Sequence, residues 1–239
     1  MKRHILFMYF LSLLTPVSIM AQEGVNLEKY RVQSSKKWES EVAKLEALDQ
    51  SEQHPANSIL FIGSSSIRKW NDIASDMAPY HPIRRGFGGS KWSDQAVFAD
   101  RLIKPHKFRA LVCFVANDIT GKNDDKSPEE VVALFSSVWN KARAHQPGAP
   151  IFYIAVTPTQ ARIAVWPKTK AANSAIRKFC ANKPNTYFIG TESIYLDAQG
   201  KPRTELFMAD KLHLNRDGYI RWAAAIKSQL DTALNGAGK

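Results

Sequence analysis

Between residues 58 and 234 the chain alternates short continuous apolar runs with longer stretches in which apolar residues return every three or four positions. The runs Ser58–Ile62 (SILFI), Arg109–Val115 (RALVCFV) and Ile151–Val156 (IFYIAV) predict strands buried on both faces, and Pro82–Arg85 and Tyr187–Ile189 predict two shorter ones. Ile67–Met77, Pro128–Ala144, Lys168–Phe179 and Asn215–Leu234 predict helices. The second of these opens on Ser127 as N-cap, Pro128 at the first position and Glu129–Glu130 in the first turn. The last presents Trp222, Ala225, Ile226 and Leu230 along one face. Upstream, Trp38, Val42, Leu45 and Leu48 recur at steps of four and three and predict an amphipathic helix over Leu27–Leu48 that packs on the domain. Strands that alternate with helices predict an α/β fold with a parallel sheet in a three-layer α/β/α sandwich. In such sheets functional loops gather at the carboxyl ends of the strands.

The N-terminus departs from this pattern. Lys2, Arg3 and His4 precede an apolar run from Ile5 to Leu14, and Thr15–Ala21 ends in small and apolar residues. That layout predicts a secretory signal peptide over residues 1–21, cleaved near Ala21, and a single domain over residues 22–239 with an N-terminal helix. The apolar run is short for a span of ~30 Å of hydrocarbon, so stable membrane insertion is not expected. The expected location is secreted or periplasmic.

Composition changes the picture only modestly. Hydrophobic residues at 44% and charged residues at 23% describe an ordinary globular chain and exclude a disordered one. The net charge is +11; residues 1–21 hold Lys2, Arg3 and no acid, which leaves +9 afterwards. The basic residues are dispersed, with only short clusters such as Arg84–Arg85, so a solvated basic surface is favoured over a nucleic-acid site. Cys113 and Cys180 are too far apart for a CxxC redox or zinc motif, and both two buried thiols and a disulfide are open.

Four groups of polar residues fall at strand ends. The first strand runs into Gly63-Ser64-Ser65-Ser66, where a serine at a helix start is either a cap or a nucleophile beside backbone N–H groups. The second runs into Gly86-Phe87-Gly88-Gly89-Ser90, whose spacing is not the GxGxxG of a dinucleotide site. The third runs into Ala116-Asn117-Asp118. Near the C-terminus stands Asp210-Lys211-Leu212-His213. His54, His81, His106 and His145 lie in polar loops or beside prolines and are expected at the surface; His213 alone follows a carboxylate by three positions and precedes a helix. Such a pair can hold an imidazole in one tautomer. No HExxH or His-rich tract supports a metal site. Together the groups contain a nucleophile, a base with its orienter and three oxyanion donors, the set needed for acyl transfer.

These residues resemble the four blocks of the SGNH hydrolases, also called GDSL-type esterases, in order over Phe61–His213. FIGSSSI is similar to a bacterial subgroup of that family and matches the first block at Gly63-Ser64-Ser65, with Ser64 in place of the usual aspartate. Gly89 matches the second block, Asn117-Asp118 the third, with Val115 in place of the usual glycine, and Asp210–His213 the last. The resemblance implies a flavodoxin-like sheet of about five parallel strands and an esterase without a metal or organic cofactor. It further implies Ser65, Asp210 and His213 as catalytic residues, with Ser65, Gly89 and Asn117 as the oxyanion hole. The GxSxG elbow of the α/β-hydrolases is absent. With no long lid-like apolar insertion, the expected substrates are short-chain or acetyl esters of carbohydrates, and Trp92, Arg162 and Trp166 stand where substrate-binding residues are expected. A lipase or lysophospholipase would instead prefer long acyl chains, and a catalytically silent glycan- or acyl-binding domain would hydrolyse neither.

Overall fold

In a computed structural model that describes residues 25–235, five strands form one parallel sheet in the order β2-β1-β3-β4-β5. They are β1 (Ile59–Gly63), β2 (Pro82–Gly86), β3 (Ala110–Phe114), β4 (Ile151–Ile154) and β5 (Thr186–Ile189). The sheet bears out the α/β expectation, and the signal peptide expected over residues 1–21 lies outside the described residues. Every residue of the three central strands is buried, as a sheet covered on both sides requires, whereas the edge strands β2 and β5 each include partly exposed positions.

The apolar runs split between two layers by the period of two that a strand imposes. Leu60, Ile62, Leu111, Cys113, Ile151 and Tyr153 face one side of the sheet. There they meet the helices α1 (Glu28–Ser51), α4 (Trp92–Ile103), α5 (Pro128–His145) and α6 (Trp166–Ala181). Ile59, Phe61, Val112, Phe114, Phe152 and Ile154 face the other side, the single turn α7 (Glu192–Tyr195) and the C-terminal helix α8 (Arg216–Asn235). Trp222 of α8 lies fully buried with its ring centroid 5.2 Å from Trp70 and 4.9 Å from Phe114. Ser127 caps α5 reciprocally with Glu130, as its sequence predicts.

Three expectations need correction. Ile67–Met77 is not one helix but two single turns, α2 (Ser65–Arg68) and α3 (Ile73–Asp76). The reason is tertiary: Arg84 on β2 donates to the carbonyls of Arg68 and Trp70, which a continuous helix would use itself. Leu48 is 39% exposed rather than on the inner face of α1. His106 is buried, not superficial; its Nε2 lies 3.3 Å from Asp49 Oδ1 but out of line for a hydrogen bond, and burial pushes its pKa down. Cys113 and Cys180 are both buried free thiols whose pKa values burial raises. Among the described residues no helix is long and apolar enough to cross a membrane.

Candidate active site

The order β2-β1-β3 makes the chain diverge between β1 and β3, so a crevice opens beyond their carboxyl ends. Gly63 ends β1 at φ +148°, and a Cβ there would lie 2.0 Å from the Phe114 carbonyl oxygen. Only glycine lets the two strand ends approach so closely before the chain turns. Ser64 N–H then donates to that same carbonyl at 3.0 Å, and Ser65 becomes the first residue of α2. Its N–H has no earlier intrahelical acceptor. Because α2 is a single turn, this local N–H rather than a long helix dipole is what the backbone offers to an anion.

The loop Asp210–His213 brings its imidazole to Ser65 from the far end of the sequence. Asp210 uses each carboxylate oxygen differently. Oδ1 accepts the backbone N–H groups of Leu212 (3.0 Å) and His213 (2.9 Å) and shapes the turn, in which Lys211 takes φ +55°. Oδ2 lies 2.6 Å from His213 Nδ1, and His213 Nε2 lies 2.9 Å from Ser65 Oγ. With a carboxylate on Nδ1, the consistent assignment puts the proton there and leaves Nε2 to accept from the Ser65 hydroxyl. Partial burial opposes ionisation of Asp210, but the hydrogen bonds from the His213 side chain and from the two backbone N–H groups outweigh it and hold the carboxyl at about 2. Tyr219 of α8 donates to the Ser66 carbonyl at 2.8 Å and ties α2 to the layer beneath it.

The glycine loop after β2 is pinned by α1. Gly88, at φ +36°, packs so tightly on Trp38 that a Cβ would sit 1.9 Å from the indole ring, and its N–H donates to Glu41 Oε2 at 2.9 Å. Gln95 Nε2 bridges the Gly63 carbonyl and Ser90 Oγ, joining the ends of β1 and β2. Gly89 is exposed, with Asn117 Nδ2 3.9 Å from where its Cβ would stand. Asn117 Nδ2 donates to the Ser90 carbonyl at 3.1 Å, and Asn117 Oδ1 accepts from Arg162 Nη2 at 2.8 Å. The structure thus gathers Ser65, Asn117 and His213 on one cleft of about 580 Å³, counting its open mouth, with Gly89 beside Asn117.

The three expected substrate-binding residues part company. Trp166 and Arg162 line the cleft. Trp92 does not: it is 1% exposed, stacked on Tyr153 at 5.4 Å between centroids, because α4 is wedged between α1 and α5. No face of its ring is left for a sugar. Thr159, also on the cleft, was not singled out from the sequence; its Oγ1 is buried without a hydrogen-bond partner. Trp38, Glu41 and Gln95 were also missed, since nothing local marks a residue of α1 or α4 as a support for another loop. Among the described residues no group of three or more His, Cys, Asp or Glu side chains could hold a metal ion.

Asp118 is the buried neighbour of Asn117. Both of its oxygens take the Trp92 N–H, at 3.2 and 3.1 Å. Burial pushes its pKa up to about 7, against that hydrogen bond and the charge of Lys91. The folded protein therefore holds a proton that the unfolded chain has lost, from about pH 4 to about pH 7. Stability from this group is full at low pH and falls as pH rises through that window. Buried His106 acts with the opposite sign, because its pKa is lowered, so the comparison must be with a variant. Asp118→Asn is expected to gain stability on wild type as pH rises from 4 to 7, by on the order of 2 kcal/mol, in urea unfolding followed across pH. A difference that stays flat with pH overturns the assignment.

The sequence model of the GDSL-like lipase/acylhydrolase family matches residues 58–221. Among solved structures, a protein of Streptococcus pneumoniae assigned provisionally as a platelet activating factor superimposes at TM-score 0.71 with 19% identity, over 85% of this chain and 96% of that one. A GDSL-like lipase from Bacteroides thetaiotaomicron reaches 0.62 with 16% identity, over 83% and 97%. A carbohydrate esterase of family 3 from Talaromyces cellulolyticus reaches 0.57 with 15% identity, over 75% and 99%. No curated protein matches the chain in sequence.

Proposed function

The chain belongs to the GDSL-like lipase/acylhydrolase family, and from that premise we propose that it is an exported serine esterase that removes short acyl groups, acetyl foremost, from carbohydrates. The observation that carries this reading is the continuous hydrogen-bonded chain Asp210–His213–Ser65, at 2.6 and 2.9 Å, opening on a cleft. Ser65 Oγ attacks the ester carbonyl while His213 Nε2 takes its proton. The N–H groups of Ser65 and Gly89 and the Asn117 amide hold the oxyanion. Collapse of the tetrahedral intermediate expels the alcohol, which receives the proton from His213. Water, deprotonated by His213, then attacks the acyl-Ser65, releasing the acid and restoring the hydroxyl. Ser65 and His213 thus carry the covalent and proton-transfer steps of the cycle, and Asp210 orients His213.

Three features support the short-chain preference. The apolar floor of the cleft beside Ser65 is formed by Phe114 and Trp222, 3% and 0% exposed, packed side chains that favour a small acyl group there. The cleft lining includes Thr157, Thr159 and Trp166, polar and aromatic groups suited to a hydroxylated alcohol. One of the similar folds is named as a carbohydrate esterase. The amino-terminal pattern of residues 1–21 supports export.

Hydrolysis of p-nitrophenyl acetate, butyrate and octanoate, each beside Ser65→Ala, tests the reading. The rate is expected to be highest on acetate and to fall with chain length. A maximum on octanoate overturns the short-chain preference and makes the protein a lipase-type acylhydrolase. No hydrolysis above Ser65→Ala on any ester overturns the enzyme itself in favour of a binding domain.

A further inference from the structure

Arg162 lines the cleft, and its guanidinium is spent on the loop that carries Asn117. Its Nη1 donates to the Ala116 carbonyl and its Nη2 to Asn117 Oδ1 at 2.8 Å. Both acceptors are neutral oxygens; the carboxylate that acts on it, Asp125, is itself held by the N–H groups of Thr120 and Gly121. A guanidinium can only donate, and it remains charged even where burial lowers its pKa, as it does here.

The consequence is chemical. An asparagine amide has one accepting and one donating end, and either could face the cleft. With Arg162 at hand only Oδ1 can turn toward it, so Nδ2 must point the other way. One N–H of Nδ2 is used by the Ser90 carbonyl at 3.1 Å, which leaves the second beside Gly89. A cation on the carbonyl end also draws electron density from the amide and makes that second N–H a stronger donor. The 3-10 turn Gln160–Val165 that carries Arg162 is tied in parallel to the base loop, through Ala161 N–H to the Lys211 carbonyl at 3.1 Å. One short turn therefore braces both the loop of the base and the loop of the oxyanion donor.

We propose that Arg162 is a positioning residue of this esterase: it sets the orientation of the Asn117 amide and strengthens it as an oxyanion donor, without itself contacting the substrate. This rests on the esterase reading above. It differs from the sequence expectation, in which Arg162 binds the substrate directly. The two separate kinetically. A residue that acts through an oxyanion donor stabilises the transition state alone, so its loss lowers kcat and leaves KM, whereas loss of a ground-state contact raises KM.

The test measures kcat and KM on p-nitrophenyl acetate for Arg162→Met, Arg162→Lys, Asn117→Ala and the double variant Arg162→Met with Asn117→Ala. Loss of a direct oxyanion donor costs roughly 10²–10³ in kcat, and Asn117→Ala is expected in that range. Arg162→Met, acting at one remove, is expected to lower kcat by roughly 10- to 100-fold with KM changed by less than about two-fold. The double variant is expected to be no slower than Asn117→Ala, because Arg162 has nothing left to position. Arg162→Lys keeps the charge but cannot hold both oxygens at once, and is expected between wild type and Arg162→Met. It carries the test alone if Arg162→Met does not fold, again through a fall in kcat at constant KM. A change confined to KM, an unchanged kcat, or effects that multiply in the double variant each overturn the positioning role while leaving the esterase intact. A wild-type protein without esterase activity overturns both.

Discussion

Ser65→Ala is expected to lower turnover on p-nitrophenyl acetate by ~10³ or more while leaving the fold untouched. Ser65 Oγ makes its hydrogen bond to His213 Nε2 and opens on the cleft, so its loss removes the atom that attacks and no structural tie. The ties of the turn belong to its neighbours: Ser64 N–H bonds to Phe114, and the Ser66 carbonyl receives the Tyr219 hydroxyl. Stability should therefore stay within about 0.5 kcal/mol of wild type, as for substitutions away from structural contacts. Ser64→Ala and Ser66→Ala serve as controls. Ser64 is 1% exposed, whereas Ser65 is half-buried and holds the hydrogen bond to His213. Full activity in Ser65→Ala would sink the assignment of the nucleophile, and a matching loss in either control would move it.

His213→Ala should match that loss, again ~10³ or more in turnover, because a serine hydroxyl without a base is a poor nucleophile. The turn itself should survive, since Asp210 Oδ1 holds the backbone N–H groups of residues 212 and 213 whatever the side chain at 213. Two further results separate a lost base from a damaged loop. Combining Ser65→Ala with His213→Ala should cost little beyond either alone, because the two act as one unit. Added imidazole, small enough to enter the open cleft, should restore part of the rate in His213→Ala but none in Ser65→Ala. Wild-type turnover in His213→Ala, measured at the same pH, would remove His213 from the mechanism.

The residues of the site were more legible than the way they are held. Ser65, Asn117 and His213 could be picked out because each sits in a short motif beside a strand end or helix start, and such motifs are local in sequence. The supports were not legible. Trp38 packs on Gly88 from 50 positions upstream and Arg162 holds Asn117 from 45 positions downstream, contacts that no spacing records. Helix α4 shows a different failure. Trp92, Ala96, Ala99 and Ile103 carry a helical spacing, yet no helix is predicted there, and Trp92, close behind the glycines, is expected to face a ligand. In the fold nine of its residues are buried, a burden that comes from two helices flanking it.

By itself, then, the sequence determined the alternation of strands and helices and the chemical types at the strand ends, because hydrophobic period and turn residues act over a few positions. Tertiary structure decided everything that depends on which surfaces meet. Whether Leu60 or Phe61 faces the α1 side follows from the two-layer packing, since both are apolar and strand alternation only says that they differ. The break between α2 and α3 follows from an arginine on a neighbouring strand capturing helix carbonyls. The 2.9 Å approach of His213 to Ser65, across 148 positions, follows from α8 and β1 packing in one layer. Short-range patterns set local geometry, but a site assembled from distant loops takes its distances from the packed core beneath it.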